Sequence, residues 1–191
     1  MDLLLILIVI LAIGAVLLLL SGIRVVPNNR VGIVEKILSK KGSVKEGFIA
    51  LAGEAGYQPK VLRGGWHILM PFQFRVHIAP LVTIPQGQIG YIFARDGYPL
   101  PPAQTLAGVV PEGKSFQDAE GFLKHGGQRG PQREILREGT YAINLAQFVV
   151  LTETGLYYLS MGRDEESTFR TMAQVIRDRG GFQPIVIQGT D

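Results

Sequence analysis

The first twenty residues constrain this chain more than any other segment. Residues 3–20 read LLLILIVILAIGAVLLLL, eighteen consecutive positions without a charged or strongly polar side chain. Fifteen of them are Leu, Ile or Val, and together these favour transfer to the centre of a bilayer by about 5 to 9 kcal/mol. A helix from Leu3 through Leu20 to Ile23 would rise about 31 Å, close to the hydrocarbon thickness of a bilayer. The sequence therefore predicts a single transmembrane anchor over residues 1–23.

A cleaved secretory signal peptide is the alternative interpretation of this run. Signal peptides have a positively charged start, an apolar core of about 7–15 residues and a cleavage site with small residues. Here Asp2 is the only charged side chain before the apolar run, and Ser21-Gly22 leads directly into Ile23 and Arg24. These features favour an uncleaved anchor.

The charges that follow the apolar run predict its orientation. Six basic and two acidic residues fall between residues 24 and 46, an excess of four positive charges, whereas no Lys or Arg precedes the run. Because positive flanks stay on the cytoplasmic side, we expect a single-pass membrane protein with its body in the cytoplasm. Arg24, Arg30, Lys40 and Lys41 are candidate contacts for anionic lipid headgroups, or else ordinary solvated residues of the flank.

Composition narrows the function of the remaining residues. The chain has no cysteine, which excludes disulfides, thiolate catalysis and cysteine-ligated metals. Its net charge is only +3, and its basic residues are not interleaved with aromatic ones, so a nucleic-acid partner is not expected. The 24 glycines and 11 prolines punctuate short apolar runs, a pattern typical of a strand-rich domain.

The sequence contains an internal repeat. VPNNRVGIV at residues 26–34 returns as IPQGQIGYI at 84–92, and GGWHILMPFQF at 64–74 returns as EGTYAINLAQF at 138–148. Proline before a short alternating run indicates entry to an edge strand, and glycine before alternating residues indicates a turn into a strand. We therefore expect one strand-rich unit over residues 24–80 and a second, related unit over residues 81–160.

Two short helices are expected within this strand pattern, which makes the predicted fold class α+β. The first spans residues 116–124 with Ser115 as its cap, and the second spans 165–179 with an apolar stripe at helical spacing. The final domain, residues 161–191, then starts a further strand. Residues 187–190 resemble residues 84–87, so a third copy of the strand entry is expected, and the chain would be truncated relative to its relatives.

These blocks resemble the SPFH (Band 7) superfamily, which includes stomatin, prohibitin and flotillin. The resemblance rests on the apolar N-terminus, then VPNNRVGIVEK, then LRGGWHILMPFQFRV, in that order. The later IPQGQIGYIFARDGYPLPPAQ and REGTYAINLAQF blocks are similar to bacterial flotillin-like members. The resemblance implies a domain against the membrane, self-association into homo-oligomers, and partners such as an NfeD-class membrane protein or a membrane protease. The long coiled coil that drives assembly of flotillin-like members has no counterpart in this sequence, because no sustained heptad run occurs.

One motif suggests nucleotide chemistry. Residues 108–115, GVVPEGKS, match the phosphate-binding pattern G-x-x-x-x-G-K-[ST]. Such a loop must follow a buried strand, but the preceding YPLPPAQTLA contains three prolines, which a central strand does not tolerate. We expect a glycine-rich loop here, and an anchored P-loop enzyme is kept only as an alternative.

No other pattern indicates catalysis. His67, His77 and His125 lack the spacing of a metal pair, and no G-x-S-x-G elbow is present. The sequence therefore predicts no catalytic residue, no cofactor and no metal.

An apolar group follows Gly64-Gly65 and has two interpretations. Trp66, Met70, Phe72 and Phe74 would either form part of the domain core or make a second membrane contact, with tryptophan at headgroup level.

The expected function is that of a non-catalytic scaffold. It would self-associate at the membrane, where confinement lets weak contacts hold, and organise membrane proteins or microdomains. The alternatives are an outward-facing regulatory subunit of a membrane protease, the P-loop enzyme, and a non-functional gene fragment.

Overall fold

The structure is a computed structural model that describes residues 3–153 and 155–178. The chain divides into two compact units, Met1–Ala79 and Pro80–Asp191. Most of the elements in its described residues are strands, and they are joined by three α-helices and one short 3-10 helix. The helices are α1 (Leu3–Ser21), α2 (Ala119–Lys124) and α3 (Arg163–Asp178), with the 3-10 helix at Pro111–Gly113. The strands are β1 (Ile23–Val26), β2 (Arg30–Lys36), β3 (Gly56–Leu62), β4 (Gly65–Ile68), β5 (Phe74–Pro80), β6 (Val82–Ile84), β7 (Gly90–Ala94), β8 (Gly130–Pro131), β9 (Gly139–Tyr141), β10 (Phe148–Thr152) and β11 (Gly155–Tyr157).

The N-terminal apolar run forms α1, which ends at Ser21. The Ser21 hydroxyl donates a hydrogen bond to the Leu18 carbonyl at 2.7 Å, and the chain then turns at Gly22. A Cβ atom at Gly22 would lie 2.4 Å from the Leu69 carbonyl oxygen. Only glycine therefore lets the strand that follows approach the loop after β4 so closely.

The predicted membrane span is corrected by the structure. Within residues 3–153 and 155–178, no helix combines the length and the apolar character needed to cross a membrane. The transmembrane helix in the predicted fold class, and the single-pass location with a cytoplasmic body, are therefore wrong. The helix is shorter than predicted because Ile23 belongs to β1, where it pairs with Ile68. The nineteen residues of α1 rise about 28 Å.

The first unit contains two small sheets. β1 pairs with β4, and a second sheet has the order β3-β2-β5. The core of this unit lies under β2, whose Val31, Ile33 and Val34 are buried. Gly32 lies between them, where an added Cβ would come within 3.0 Å of the Val76 side chain.

The second unit repeats this plan and adds to it. β6 pairs with β9, and a four-stranded sheet has the order β11-β10-β7-β8. Thus β6, β7, β9 and β10 take the places of β1, β2, β4 and β5. The registers agree as well, since Val26 pairs with Gly65 and Ile84 pairs with Gly139.

The hydrogen bonds of the two copies also correspond. The Arg30 N–H donates to the Pro27 carbonyl at 3.0 Å, and the Gln88 N–H donates to the Pro85 carbonyl at 3.1 Å. Gln73 and Gln147 occupy equivalent positions and make equivalent hydrogen bonds. The side-chain amide of Gln73 donates to the Leu38 carbonyl, and that of Gln147 donates to the Asp96 carbonyl. The sequence repeat is thus also a repeat of backbone geometry.

Both predicted helices start at other residues, although α2 ends at Lys124 as predicted. α2 begins at Ala119, and its cap is Asp118, whose carboxylate accepts a hydrogen bond from the Gly121 N–H at 2.9 Å. The prediction of a cap at Ser115 is wrong, because residues 114–116 adopt positive φ angles that no right-handed helix contains. The predicted further strand and third repeat, at residues 184–191, lie outside the described residues.

Candidate functional site

The β1–β4 ribbon presents an apolar face to solvent. Val25 lies opposite Trp66, and Ile23 lies opposite Ile68. Because directly opposed residues project from the same face of an antiparallel pair, these four side chains share one face. Trp66 is 77% exposed, and Val25 and Ile68 are exposed too. Uncovered apolar faces of this kind mark interaction sites.

The loop between β4 and β5 extends this face. Met70 and Phe72 are both exposed, and Phe72 is 78% exposed. The Leu69 N–H donates to the Gly22 carbonyl at 2.9 Å, which fixes the loop beside the end of α1. We call Val25, Trp66, Ile68, Met70 and Phe72 the apolar rim.

Phe72 holds an unfavourable conformation within the rim. Its φ angle is +64°, in the left-handed region, where a side chain costs roughly 1–2 kcal/mol relative to the usual helical conformation. The backbone strain is not repaid by burial of the ring, since the ring remains in solvent. Strained backbone with an exposed aromatic ring is typical of a binding surface.

The equivalent loop of the second unit is buried. The residues that correspond to Met70 and Phe72 are Asn144 and Ala146, which are buried. The aromatic ring of Phe122 in α2 packs against Phe148 with 5.1 Å between ring centroids. In the first unit, the described residues provide no helix of this kind, and the loop carries large apolar side chains instead.

The surface of α1 is as apolar as the rim. The described Leu, Ile and Val side chains of α1 are between 39% and 68% exposed. They point in all directions round the helix, because no polar residue interrupts residues 3–20. A helix that is apolar on every side needs cover from an apolar environment.

The structure places the predicted contact residues in different positions. Trp66, Met70 and Phe72 lie together on the rim, so they are not part of a core, whereas Phe74 is half-buried in β5. The sequence interpretation missed Val25 and Ile68. The alternation of Trp66, His67 and Ile68 along a strand was the available signal, because residues two apart share a face.

The predicted headgroup contacts are all exposed. The Arg24 guanidinium donates to the carbonyls of Ser21 at 2.8 Å and Ile23 at 3.0 Å, so it is held at the end of α1. Lys41 donates to the Ala52 carbonyl at 2.7 Å, while Arg30 and Lys40 are exposed. Their contact with lipid headgroups stays a prediction.

The P-loop-like segment does not have the geometry of a nucleotide site. No strand immediately precedes Gly108, and Pro111–Gly113 form the 3-10 helix. The Lys114 ammonium lies 3.4 Å from the Asp118 carboxylate, which is the cap of α2. A working P-loop needs that lysine to face the phosphates at a helix start.

The histidines serve local structure. His77 Nε2 lies 2.8 Å from the Glu35 carboxylate, His67 Nε2 lies 2.7 Å from the Arg63 carbonyl, and His125 Nδ1 lies 2.8 Å from the Gly121 carbonyl. Over residues 3–153 and 155–178, no cluster of three or more His, Cys, Asp or Glu residues is arranged to hold a metal ion.

Comparison of the chain with protein-family models, with curated proteins and with solved structures finds no match in any of the three. The SPFH resemblance therefore rests on the sequence blocks alone. The geometry of the apolar rim carries the functional interpretation.

Proposed function

We propose that this chain is a non-catalytic, SPFH-type scaffold that binds a lipid surface through its first unit and organises membrane proteins there. The observation that carries the proposal is the apolar rim. Its five side chains are exposed, and Phe72 holds a strained conformation with its ring in solvent. In the second unit, the equivalent loop is buried.

Lipid accounts for this surface better than a protein groove does. The exposed apolar area covers the rim and every side of α1, and a fluid apolar phase can cover such a distributed surface. A protein groove normally covers one stripe of a helix. Lipid contact of this kind does not require a segment that crosses the bilayer.

The chemistry of the rim also suits the boundary of a bilayer. Tryptophan favours the headgroup level, where its ring is partly apolar and its N–H can reach water. Arg24 lies on the neighbouring strand position to Val25, on the other face of the ribbon. Its guanidinium is held at the end of α1, where it can contact anionic headgroups while the apolar side chains enter the acyl region.

Self-association completes the proposed scaffold. Molecules held on one surface meet at a raised effective concentration, so weak contacts between copies suffice. By resemblance to SPFH proteins, its partners would be an NfeD-class membrane protein or a membrane protease. Chemical crosslinking of the vesicle-bound protein tests self-association. The reference is the same amount of protein crosslinked without vesicles.

The single tryptophan allows a direct test of rim contact. Trp66 is the only tryptophan in the chain, so its fluorescence reports on the rim alone. With vesicles that contain anionic lipid, we expect a blue shift of the Trp66 emission and quenching by brominated acyl chains. Emission that stays unshifted and unquenched while the protein co-sediments with vesicles would rule out the rim as the lipid contact.

A matched pair of variants separates rim contact from loss of fold. Met70→Ser/Phe72→Ser should reduce Trp66 quenching at least several-fold, because both side chains belong to the rim. Tyr98→Ser removes an exposed aromatic ring from the second unit and should leave quenching unchanged. Circular dichroism and thermal unfolding verify that both variants remain folded.

A further inference from the structure

The second unit contains a cavity that the proposed scaffold does not use. Its volume is about 410 Å³, and its lining combines charged and apolar side chains. This volume is within the range of small-molecule sites. The lining residues are Ser115, Arg133, Glu134, Ile135, Leu136, Arg137 and Tyr141.

One wall of the cavity is the segment from Arg133 to Arg137. Its backbone is fixed at both ends, because the Arg133 N–H donates to the Ala107 carbonyl at 3.3 Å and Leu136 exchanges two hydrogen bonds with Gly90 at 2.8 and 2.9 Å. Both arginine side chains are exposed. Neither guanidinium has an ion-pair partner among the described residues. The lining thus carries two positive charges against the single carboxylate of Glu134.

The opposite element is a left-handed turn. Lys114, Ser115 and Phe116 have φ angles of +48°, +53° and +63°, three consecutive non-glycine residues in a region that L-residues rarely adopt. Within the described part of the chain, the N–H groups of Ser115 and Phe116 make no hydrogen bond. Both N–H groups are therefore available as hydrogen-bond donors.

The core of the unit holds this turn in place. Phe116 is buried, and its ring lies 5.3 Å from the Phe148 ring in an edge-to-face arrangement and 6.1 Å from the Phe122 ring. The turn is therefore preorganised, and no conformational free energy is needed to bring Ser115 to the cavity when a ligand binds.

We propose that this cavity binds a phosphate group, held by the guanidinium groups of Arg133 and Arg137 and by the hydroxyl and N–H of Ser115. Arginine matches phosphate geometry with paired N–H donors. Ile135 would contact the organic part of a phosphomonoester or of a lipid headgroup. Tyr141, whose hydroxyl donates to the Arg137 carbonyl at 3.0 Å, fixes the position of the arginine backbone.

The test titrates inorganic phosphate, and then glycerol 3-phosphate, into the full chain in non-ionic detergent at constant ionic strength. Nuclear magnetic resonance follows the amide signals of Ser115 and Phe116. We expect saturable shifts of these two amides. Arg133→Gln/Arg137→Gln should weaken binding about tenfold or more, since each guanidinium supplies a charge-assisted hydrogen bond.

A matched control and a lipid arm decide between sources of the phosphate. Arg129→Gln removes one exposed positive charge outside the cavity and should leave binding unchanged. Vesicles of phosphatidylcholine with and without phosphatidic acid test the headgroup source. If phosphatidic acid increases vesicle binding, the double variant loses this increase, and the soluble phosphates have no effect, the site is assigned to a lipid headgroup.

Three results would overturn the proposal. The first is the absence of a saturable shift with both soluble phosphate and phosphatidate. The second is a double variant that binds as tightly as the parent chain. The third is an Arg129→Gln variant whose binding is weakened as much as that of the double variant. If the double variant does not fold, Ser115→Ala takes its place in the titration. An unchanged phosphate affinity of Ser115→Ala, together with unshifted amide signals of residues 115 and 116, would also overturn the proposal.

Discussion

Phe72 and Ala146 occupy the same position in the two copies of the repeat, but Phe72 is 78% exposed and Ala146 is completely buried. The larger apolar side chain is therefore the uncovered one. Burial of large apolar side chains is the main favourable term in folding. An exposed phenylalanine where its counterpart is a buried alanine indicates a surface shaped for contact outside the chain.

Replacement of Phe72 by glycine should separate stability from binding. Glycine adopts a φ of +64° without steric cost, which releases roughly 1–2 kcal/mol of strain, while its greater unfolded-state entropy offsets up to about 1 kcal/mol. We expect the free energy of unfolding in urea to be unchanged or raised by about 1 kcal/mol. Trp66 quenching by brominated lipid should fall. A marked loss of stability would show that the Phe72 ring packs within the fold.

An exchange of the two equivalent residues should affect stability unequally in the two units. Ala146→Phe places a large ring in a fully buried position and should destabilise the protein by about 1–3 kcal/mol or more. Phe72→Ala, the reciprocal change, should alter stability by less than about 0.5 kcal/mol because its ring is in solvent. Chemical denaturation of both variants measures the difference, and equal effects would contradict the assigned burial.

Arg95 should control the docking of α3 in the second unit. Its side chain is only 6% exposed and lies 3.3 Å from the Glu165 carboxylate. It also donates to the Leu159 carbonyl at 2.9 Å and sits 5.1 Å from the centre of the Phe169 ring. Arg95→Met should cost about 1–3 kcal/mol, because it removes these interactions from a buried site.

Hydrogen exchange gives the local readout for this change. Amides of α3 should exchange faster in Arg95→Met. Glu165→Gln is the control, since that carboxylate is nearly half exposed and an exposed ion pair contributes about 1 kcal/mol or less. Equal exchange rates in α3 for Arg95→Met and the parent chain would assign the docking to other contacts.

The carboxylate of Glu54 should titrate below its ordinary value. Hydrogen bonds from its own backbone N–H and from the Ala52 N–H lower the pKa of Glu54 from 4.5, and the Ala52 contact measures 3.0 Å. Because the folded pKa is depressed, the stabilisation is present above pH 4.5 and is lost as the pH falls through the lower, folded value. A carbon chemical-shift titration of Glu54 measures this midpoint, and a midpoint at or above 4.5 would contradict it.

Local patterns in the sequence predicted much of the secondary structure. The Pro27 and Pro85 turns and the strands that follow them depend on φ restriction and on alternation, which act over a few residues. The predicted start of the helix after Ser115 was wrong because the start depends on the φ angles of residues 114–116. Phe116 is buried against Phe122 and Phe148, and no short-range propensity encodes such packing.

The predicted end of the N-terminal helix was wrong for a related reason. Apolar character is a property of each residue, but helix length depends on where the chain stops being helical. Pairing of Ile23 with Ile68 joins residues 45 positions apart and draws Ile23 into a strand. A sum of transfer energies along the sequence contains no such pairing.

The sequence by itself determined the apolar N-terminal run, the repeated strand entries and the absence of cysteine chemistry, because each follows from residue type and short spacing. The tertiary structure alone decided that the loop around Phe72 is uncovered while that around Ala146 is buried, and that Ser115 and two arginines share a cavity. Burial and juxtaposition depend on contacts between residues far apart in the chain. Their free energies depend on which neighbours folding brings together, and a local pattern does not specify those neighbours.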